Sequence, residues 1–160
     1  MNLVDGDLEL RPWRRDDLAA VTEAARDPYT REIEHMDDPV AWLERTRERG
    51  EHAIVVGGGD VVGGVAVASR HPRMGSLGYF VVERARGRGA ATRAASLLVR
   101  WALTEGGYVR VQATVEPSNS PSIRVLEKAG LQREGLLRSY VLYGERVGDA
   151  YLYAAVQGDV

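Results

Sequence analysis

Residues 79–102 read YFVVERARGRGAATRAASLLVRWA. An apolar run opens the stretch, the polar turn ERARGRG follows, and apolar residues then recur at helical spacing. Ala91, Ala95, Leu98 and Ala102 share one face, which predicts a helix from about Gly89 to Glu105. Gly106-Gly107 ends it. Two glycines and three arginines therefore stand between a strand and a helix.

The turn has four readings. One is structural: a glycine-rich connection with exposed arginines. The second is a dinucleotide fold, because GRGAAT comes near G-x-G-x-x-G/A. Thr92 holds the third glycine position, however, and Glu83 to Arg86 lengthen a turn that should be tight. The third, a nucleotide P-loop, needs Gly-Lys-Ser/Thr. The single lysine, Lys128, lies far away, so that reading is discarded. The fourth fits better. Unbonded N–H groups at a helix start, with the macrodipole behind them, bind a phosphate. Small residues at 87, 89, 90 and 91 let a pyrophosphate approach, and Arg88 and Arg93 can add charge-assisted contacts.

Working outward, Leu8–Pro12 alternates and reads as a first strand. Asp16 and Asp17 precede an amphipathic helix, LAAVTEAAR, which they cap and which Asp27-Pro28 stops. Pro39 opens a second helix ending at Gly50. AIVV, GGGD and VVGGVAVAS form a hairpin. After a turn at His71–Gly75 comes the strand SLGYFVV. YVRVQATVE follows the long helix as another strand. Asn119 and Ser120 start the helix SIRVLEKA, with Gly130 at its left-handed end. Two last strands surround Tyr143-Gly144-Glu145. The order β-α-α-β-β-β-α-β-α-β-β predicts one α/β layered domain over residues 1–160, a mixed sheet covered by helices.

Composition limits the function. The 160 residues suit one domain, and a net charge of −2 gives no basic field for nucleic acid. The chain has no cysteine, which excludes disulfides, thiolate metal sites and cysteine nucleophiles. MNLVDGDLEL has no signal-peptide core, and no apolar run approaches the ~18 residues of a membrane span. A soluble, cytoplasmic protein without membrane or nucleic-acid partners is expected.

Arg86-Gly87-Arg88-Gly89-Ala90-Ala91 resembles the Gln/Arg-x-x-Gly-x-Gly/Ala signature of the GNAT superfamily of N-acetyltransferases. The flanking strand and helix resemble it too. The block from Val109 to Val156 is similar to the branch, of RimJ and RimL type, that acetylates the N-terminal amine of ribosomal proteins. That branch shows Asn-x-x-Ser, then Gly-Phe, Glu-Gly and a late Asp. Here these are Asn119, Ser122, Gly130 with Leu131 replacing Phe, Glu134-Gly135 and Asp149. The resemblance covers nearly the whole chain. It implies a mostly antiparallel sheet of six to seven strands with splayed central strands, flanked by about four helices.

The resemblance also implies acetyl-CoA as co-substrate and no metal. Main-chain groups of Tyr79, Phe80 and Val81 would bond the pantetheine arm. Residues Arg86, Gly87, Arg88, Gly89, Ala90, Ala91 and Thr92 would hold the pyrophosphate, and Asn119 the cofactor arm. An N–H between Phe80 and Val82 would face the oxyanion. Many family members place a Tyr acid seven residues after the Asn; here Leu126 stands there. Ser122 takes its place as proton donor to the thiolate, or serves at N3 of a helix capped by Asn119. Part of the branch places a Glu at the position of Val141, so the base stays open among Glu32, Glu34, His35, Asp37, His71 and Tyr140. Glu134 and Asp149 read as orienting groups, and Trp13 and Trp42 as core or acceptor-cleft residues. The expected acceptor is a peptide N-terminal amine. A small-molecule amine (an amino acid, polyamine or aminoglycoside), a non-catalytic CoA-binding module and an NAD-binding domain are the rivals. Pairing of the last strands in a homodimer is a further expectation.

Overall fold

Alternation in the segment Leu8–Pro12 turns Leu8 and Leu10 wholly inward, and this strand pairs antiparallel on both edges. The computed structural model describes residues 1–143 and 146–160. Along them run β1 (Leu3–Asp5), β2 (Leu8–Pro12), α1 (Leu18–Ala24), α2 (Pro28–Glu34), α3 (Pro39–Glu48), β3 (His52–Val56) and β4 (Asp60–His71). Then come β5 (Met74–Val81), α4 (Ala90–Thr104), β6 (Arg110–Val115), α5 (Ser120–Lys128), β7 (Gln132–Tyr143) and β8 (Arg146–Val156). The α/β class holds, with eight strands and five helices among the described residues instead of six to seven and about four. The turn expected at Tyr143-Gly144-Glu145 lies, at Gly144 and Glu145, outside the described residues.

The extra helix has a clear cause. α1 does end ahead of Asp27-Pro28, the expected stop, but the same dipeptide also starts a second helix. Asp27 is the N-cap of α2, its carboxylate accepting from the Thr30 N–H at 3.2 Å and the Thr30 hydroxyl at 2.6 Å. Proline at the first helical position loses no hydrogen bond there. The expected Asp16/Asp17 cap of α1 is also corrected. Asp17 makes no side-chain cap to α1. It turns back, accepting from the Arg14 N–H at 2.7 Å and pairing with Arg11 through two bonds of 2.7 and 2.8 Å.

Contacts gather the chain into two units, Met1–Ala66 with Tyr79–Ala94, and Val67–Gly78 with Ala95–Val160. In the first, β1, β2, β3 and β4 pair antiparallel in order, with a bulge between Ile54 and Val55. Trp13, Trp42 and Phe80 form its aromatic centre. The two tryptophans meet edge-on at 5.3 Å, Trp13 stacks on Phe80 at 6.4 Å, and Trp42 meets Phe80 edge-on at 5.8 Å. A Cβ at Gly63 would run into the Phe80 carbonyl, so glycine permits the close approach of β4 to this strand.

In the second unit, β5 enters with the parallel pairs Met74↔Arg110, Gly75↔Val111 and Ser76↔Gln112, where the described register ends. β6 continues to Val115 against β8, and β7 closes the edge beside β8. Ala95, Leu98, Val99, Ala102 and Leu103 bury the inner face of α4. Tyr153 is almost wholly buried, and its hydroxyl donates to Glu127 at 3.1 Å.

The Arg11–Asp17 pair yields a stability prediction. Its side chains are only 7% and 5% exposed. Burial pushes the Asp17 carboxyl up, but hydrogen bonds from Arg11 and the Arg14 N–H more than offset this and lower its pKa. Asp17→Ala leaves a buried guanidinium unpaired and should cost about 3–5 kcal/mol in denaturant unfolding. Because the folded pKa is depressed, the pair's contribution is present above about pH 4 and is lost as pH falls below it.

Candidate functional site

After β5 the chain keeps its registry for one more residue, the Val82 N–H donating to the Val62 carbonyl at 2.8 Å. Alternation along a strand then directs the Val81 N–H to the opposite edge. Val82 is thereby committed to β4, which narrows the oxyanion donors expected between Phe80 and Val82. A single 3-10 turn, Glu83–Ala85, follows, anchored by buried Ala85.

Arg86 is extended, and Gly87 and Gly89 have φ of +73° and +80°. That left-handed region is costly for any residue with a Cβ. A Cβ at either glycine would meet nothing within 4 Å, so backbone conformation alone, not space, requires glycine. α4 begins at once, with the Arg93 N–H bonding back to Gly89 at 3.0 Å. The N–H groups of Ala90, Ala91 and Thr92 precede that bond and point out of the helix start. No acidic residue occupies the first turn. The loop therefore presents backbone donors and the positive end of a 15-residue helix.

The four arginines here are not equivalent. Arg84 pairs bidentately with Asp60 at 2.7 and 2.9 Å and also holds Glu23 at 2.9 Å. Arg86 donates to the Val81 carbonyl at 2.9 Å and to Asp27 at 2.7 Å. The Asp27 carboxyl is held below the ordinary range by Thr30 first and Arg86 second, against burial. Arg93 reaches the β1–β2 turn, binding Asp5 and Asp7 at 2.9 Å each and the Asp5 carbonyl. Arg88 is exposed between the left-handed glycines and has no hydrogen bond or ion pair among the described residues. The Arg88 guanidinium is thus uncommitted among the described residues, while that of Arg93 is already occupied. The Arg86 side chain serves as a strut.

In the second unit, Asn119 is the N-cap of α5, its side chain accepting from the Ser122 N–H at 3.2 Å. The capping arrangement expected for this pair is therefore present, and Leu126 is buried. Glu134 pairs with Arg110 at 2.7 and 3.0 Å, and Asp149 accepts from the Ser139 N–H at 3.1 Å. Both are orienting contacts. Trp13 and Trp42 are core residues, each 4% exposed.

The base candidates separate by environment. Glu32, His35, Asp37 and His71 are exposed, and Tyr140 lines an open groove with Leu136, Leu137, Arg138, Ser139 and Asp149. The side chain of Val141 lies outside the described residues. Glu34 differs: burial, and secondly the nearby Glu51 carboxylate, push its pKa up to about 7. Burial also raises Glu51. Sequence reasoning missed the partnership of these two, and missed Asp5, Asp7, Glu23, Asp27 and Asp60 as the carboxylates that hold the loop arginines. The arginine–carboxylate pairs span 24 to 88 residues, and no local spacing announces them.

Residues 7–132 match the family model described as an acetyltransferase (GNAT) domain, and the chain belongs to that family. An uncharacterized N-acetyltransferase p20 of Bacillus licheniformis is 35% identical over 81 residues, 51% of this chain and 46% of the relative. The chain thus spans about half the length of that curated relative. A GNAT-family acetyltransferase structure from Bacillus anthracis superposes with a TM-score of 0.90 at 24% identity, covering 99% of each chain. The structure of Mycobacterium smegmatis RimJ in complex with CoA-disulfide gives 0.81 at 25% identity, over 100% of this chain and 88% of that one. Among the described residues no helix is long and apolar enough to cross a membrane.

The loop geometry separates two substitutions. Gly89→Ala puts a Cβ into a left-handed conformation and should cost about 1–2 kcal/mol in thermal unfolding. Arg88→Ala removes no contact and should leave the melting temperature within about a degree of the parent.

Proposed function

We propose that this protein is an acetyl-CoA-dependent N-acetyltransferase whose acceptor is a peptide N-terminal amine. The observation that carries the reading is the loop from Arg86 to Thr92. It combines two left-handed glycines, a helix start without acids, and one uncommitted arginine amid three neutralised ones. Those features fit a pyrophosphate. Open space where a Cβ would stand at Gly87 and Gly89 fits one as well. Family membership and the likeness to RimJ, whose structure holds a CoA-disulfide, support the same ligand.

Bound acetyl-CoA supplies a thioester to an amine. The chain's residues would act as follows. Amides from Gly87 to Thr92 and the Arg88 guanidinium hold the pyrophosphate. Main-chain groups of Tyr79 and Val81 hold the pantetheine arm, those of Phe80, expected to share in this, being turned to β4 with the Val82 N–H, and the Val81 N–H faces the developing oxyanion. Asn119 bonds the cofactor arm while capping α5. Ser122 donates a proton to the departing sulfur. No covalent enzyme intermediate is needed.

Thermal unfolding with acetyl-CoA, CoA, NAD or ATP tests the cofactor. At ~100 times its dissociation constant a ligand adds about 2.7 kcal/mol, so a rise of a few degrees with acetyl-CoA and CoA alone is expected. A rise with NAD alone would replace this reading with the dinucleotide one. Arg88→Ala should weaken acetyl-CoA by about tenfold, the scale of one charge-assisted hydrogen bond. Gly89→Asp should abolish binding, because its carboxylate stands where the phosphates go.

Release of CoA thiol with unblocked peptides, compared with free amino acids, polyamines and aminoglycosides, tests the acceptor. Turnover that depends on the residue after the amine favours the peptide. Ser122→Ala should lower kcat with little change in acetyl-CoA affinity. Unchanged kcat with a lower melting temperature would leave Ser122 only its place in the helix start.

A further inference from the structure

The peptide that ends β5 is fixed at both of its polar ends. Its N–H, on Val82, donates to the Val62 carbonyl at 2.8 Å. Its carbonyl, on Val81, accepts from Arg86 Nε at 2.9 Å. The peptide before it lies tight against β4, where a Cβ at Gly63 would stand 2.1 Å from the Phe80 carbonyl oxygen. Peptides are planar, so two fixed planes leave the φ and ψ of Val81 no room to drift. The Val81 N–H shares a strand edge with the Val81 carbonyl. The side chain that holds the carbonyl therefore sets the direction of the N–H.

Arg86 is itself held. Its side chain folds back over the turn Glu83–Ala85, and its Nη2 donates to an Asp27 carboxylate oxygen at 2.7 Å and to the Thr30 hydroxyl at 3.4 Å. The same carboxylate oxygen accepts from the Thr30 N–H at 3.2 Å and the Thr30 hydroxyl at 2.6 Å, and Thr30 is only 3% exposed. A guanidinium is a rigid plane whose Nε and Nη donors point in fixed directions, so fastening Nη2 also aims Nε. Asp27 neutralises the Arg86 charge. What this side chain offers is then geometry, not a free cation.

We propose that Arg86 is a positioning residue for the acetyl transfer: its Nε fixes the Val81 backbone so that the Val81 N–H meets the developing oxyanion, with Asp27 and Thr30 keeping Nε on target. The proposal rests on the function proposed above, in which that N–H is the oxyanion donor. Such a donor acts from about 2.7–3.1 Å, and a misplacement of about 1 Å costs up to about 100-fold in rate. The demand falls on one atom. Glutamine carries a nitrogen donor, Nε2, as many bonds from Cα as arginine Nε, and methionine carries a methyl group there. Both are uncharged. The two substitutions thus separate the ε donor from the charge.

Arg86→Met should lower kcat about 10- to 100-fold, measured as CoA release with the fastest acceptor among the peptides and small amines named above. Arg86→Gln should stay within about fivefold of the parent, the scale of one half-exposed ion pair. Acetyl-CoA affinity should change less than about threefold in both, because the interaction lost is one made in the transition state. In the ligand-free protein, the Val81 carbonyl-carbon NMR shift should move in Arg86→Met and hold in Arg86→Gln. A shift that moves in Arg86→Gln overturns the assignment, even where Arg86→Met fails to fold. Equal kcat in the two variants also overturns it, whether both keep the parent's rate or both lose it. A loss of acetyl-CoA affinity shared by both at unchanged kcat makes Arg86 a phosphate contact instead. Each of these outcomes leaves the acetyltransferase reading standing, whereas a parent that neither binds acetyl-CoA nor releases CoA overturns both.

Discussion

The guanidinium of Arg86 is the contact on which the rest of the proposed site depends. It takes the carbonyl of the last β5 residue, the N-cap carboxylate of α2 and the hydroxyl of Thr30 together. With side-chain exposures of 45% and 23%, the ion pair itself contributes little to stability, about 0–1 kcal/mol. Its importance is positional. The residue that closes β5 on α2 is also the residue before Gly87, so one side chain sets where the loop begins and where the first turn of α2 stands. A network of this kind specifies one geometry more than it adds energy.

Charge balance follows from the same design. Five carboxylates from β1, the β1–β2 turn, α1, the start of α2 and the start of β4 neutralise Arg84, Arg86 and Arg93. What remains positive is Arg88 and the start of α4. A broad basic patch would attract any polyanion; a single cation between backbone donors selects a compact phosphate. This agrees with a chain whose net charge is −2. The neutralising carboxylates also tie β1 and α1 to the loop, so its conformation is stabilised before any ligand arrives and less ordering cost is left to binding.

Much of this was legible in the sequence because it is local. Periodicity found α4 nearly to the residue, the glycine run found the β3–β4 hairpin, and Gly130 ended α5 with φ +90° as a left-handed residue should. The loop itself was legible for the same reason: positive φ demands glycine, and glycine is visible. Asp27-Pro28 misled because the dipeptide ends one helix and starts another, and only the Thr30 contacts show which role prevails. β1 was missed because three residues carry too little alternation to register. The fate of the arginines was not legible at all. RARGRG reads as a uniformly basic turn until carboxylates as far as 88 residues away are brought to it. The raised pKa of Glu34 has the same origin, since it depends on burial and on Glu51, which lies outside its own helix.

In the proposed function, the backbone from Gly87 to Thr92, with Arg88, cradles the phosphates of acetyl-CoA. Amide chemical-shift mapping of the whole protein during titration with acetyl-CoA tests it most directly. The largest, saturable shifts should fall on the amides of Gly87, Arg88, Gly89, Ala90, Ala91 and Thr92, with further shifts along Tyr79 to Val81. Saturable binding that leaves those amides unmoved, or no binding at all, would contradict it.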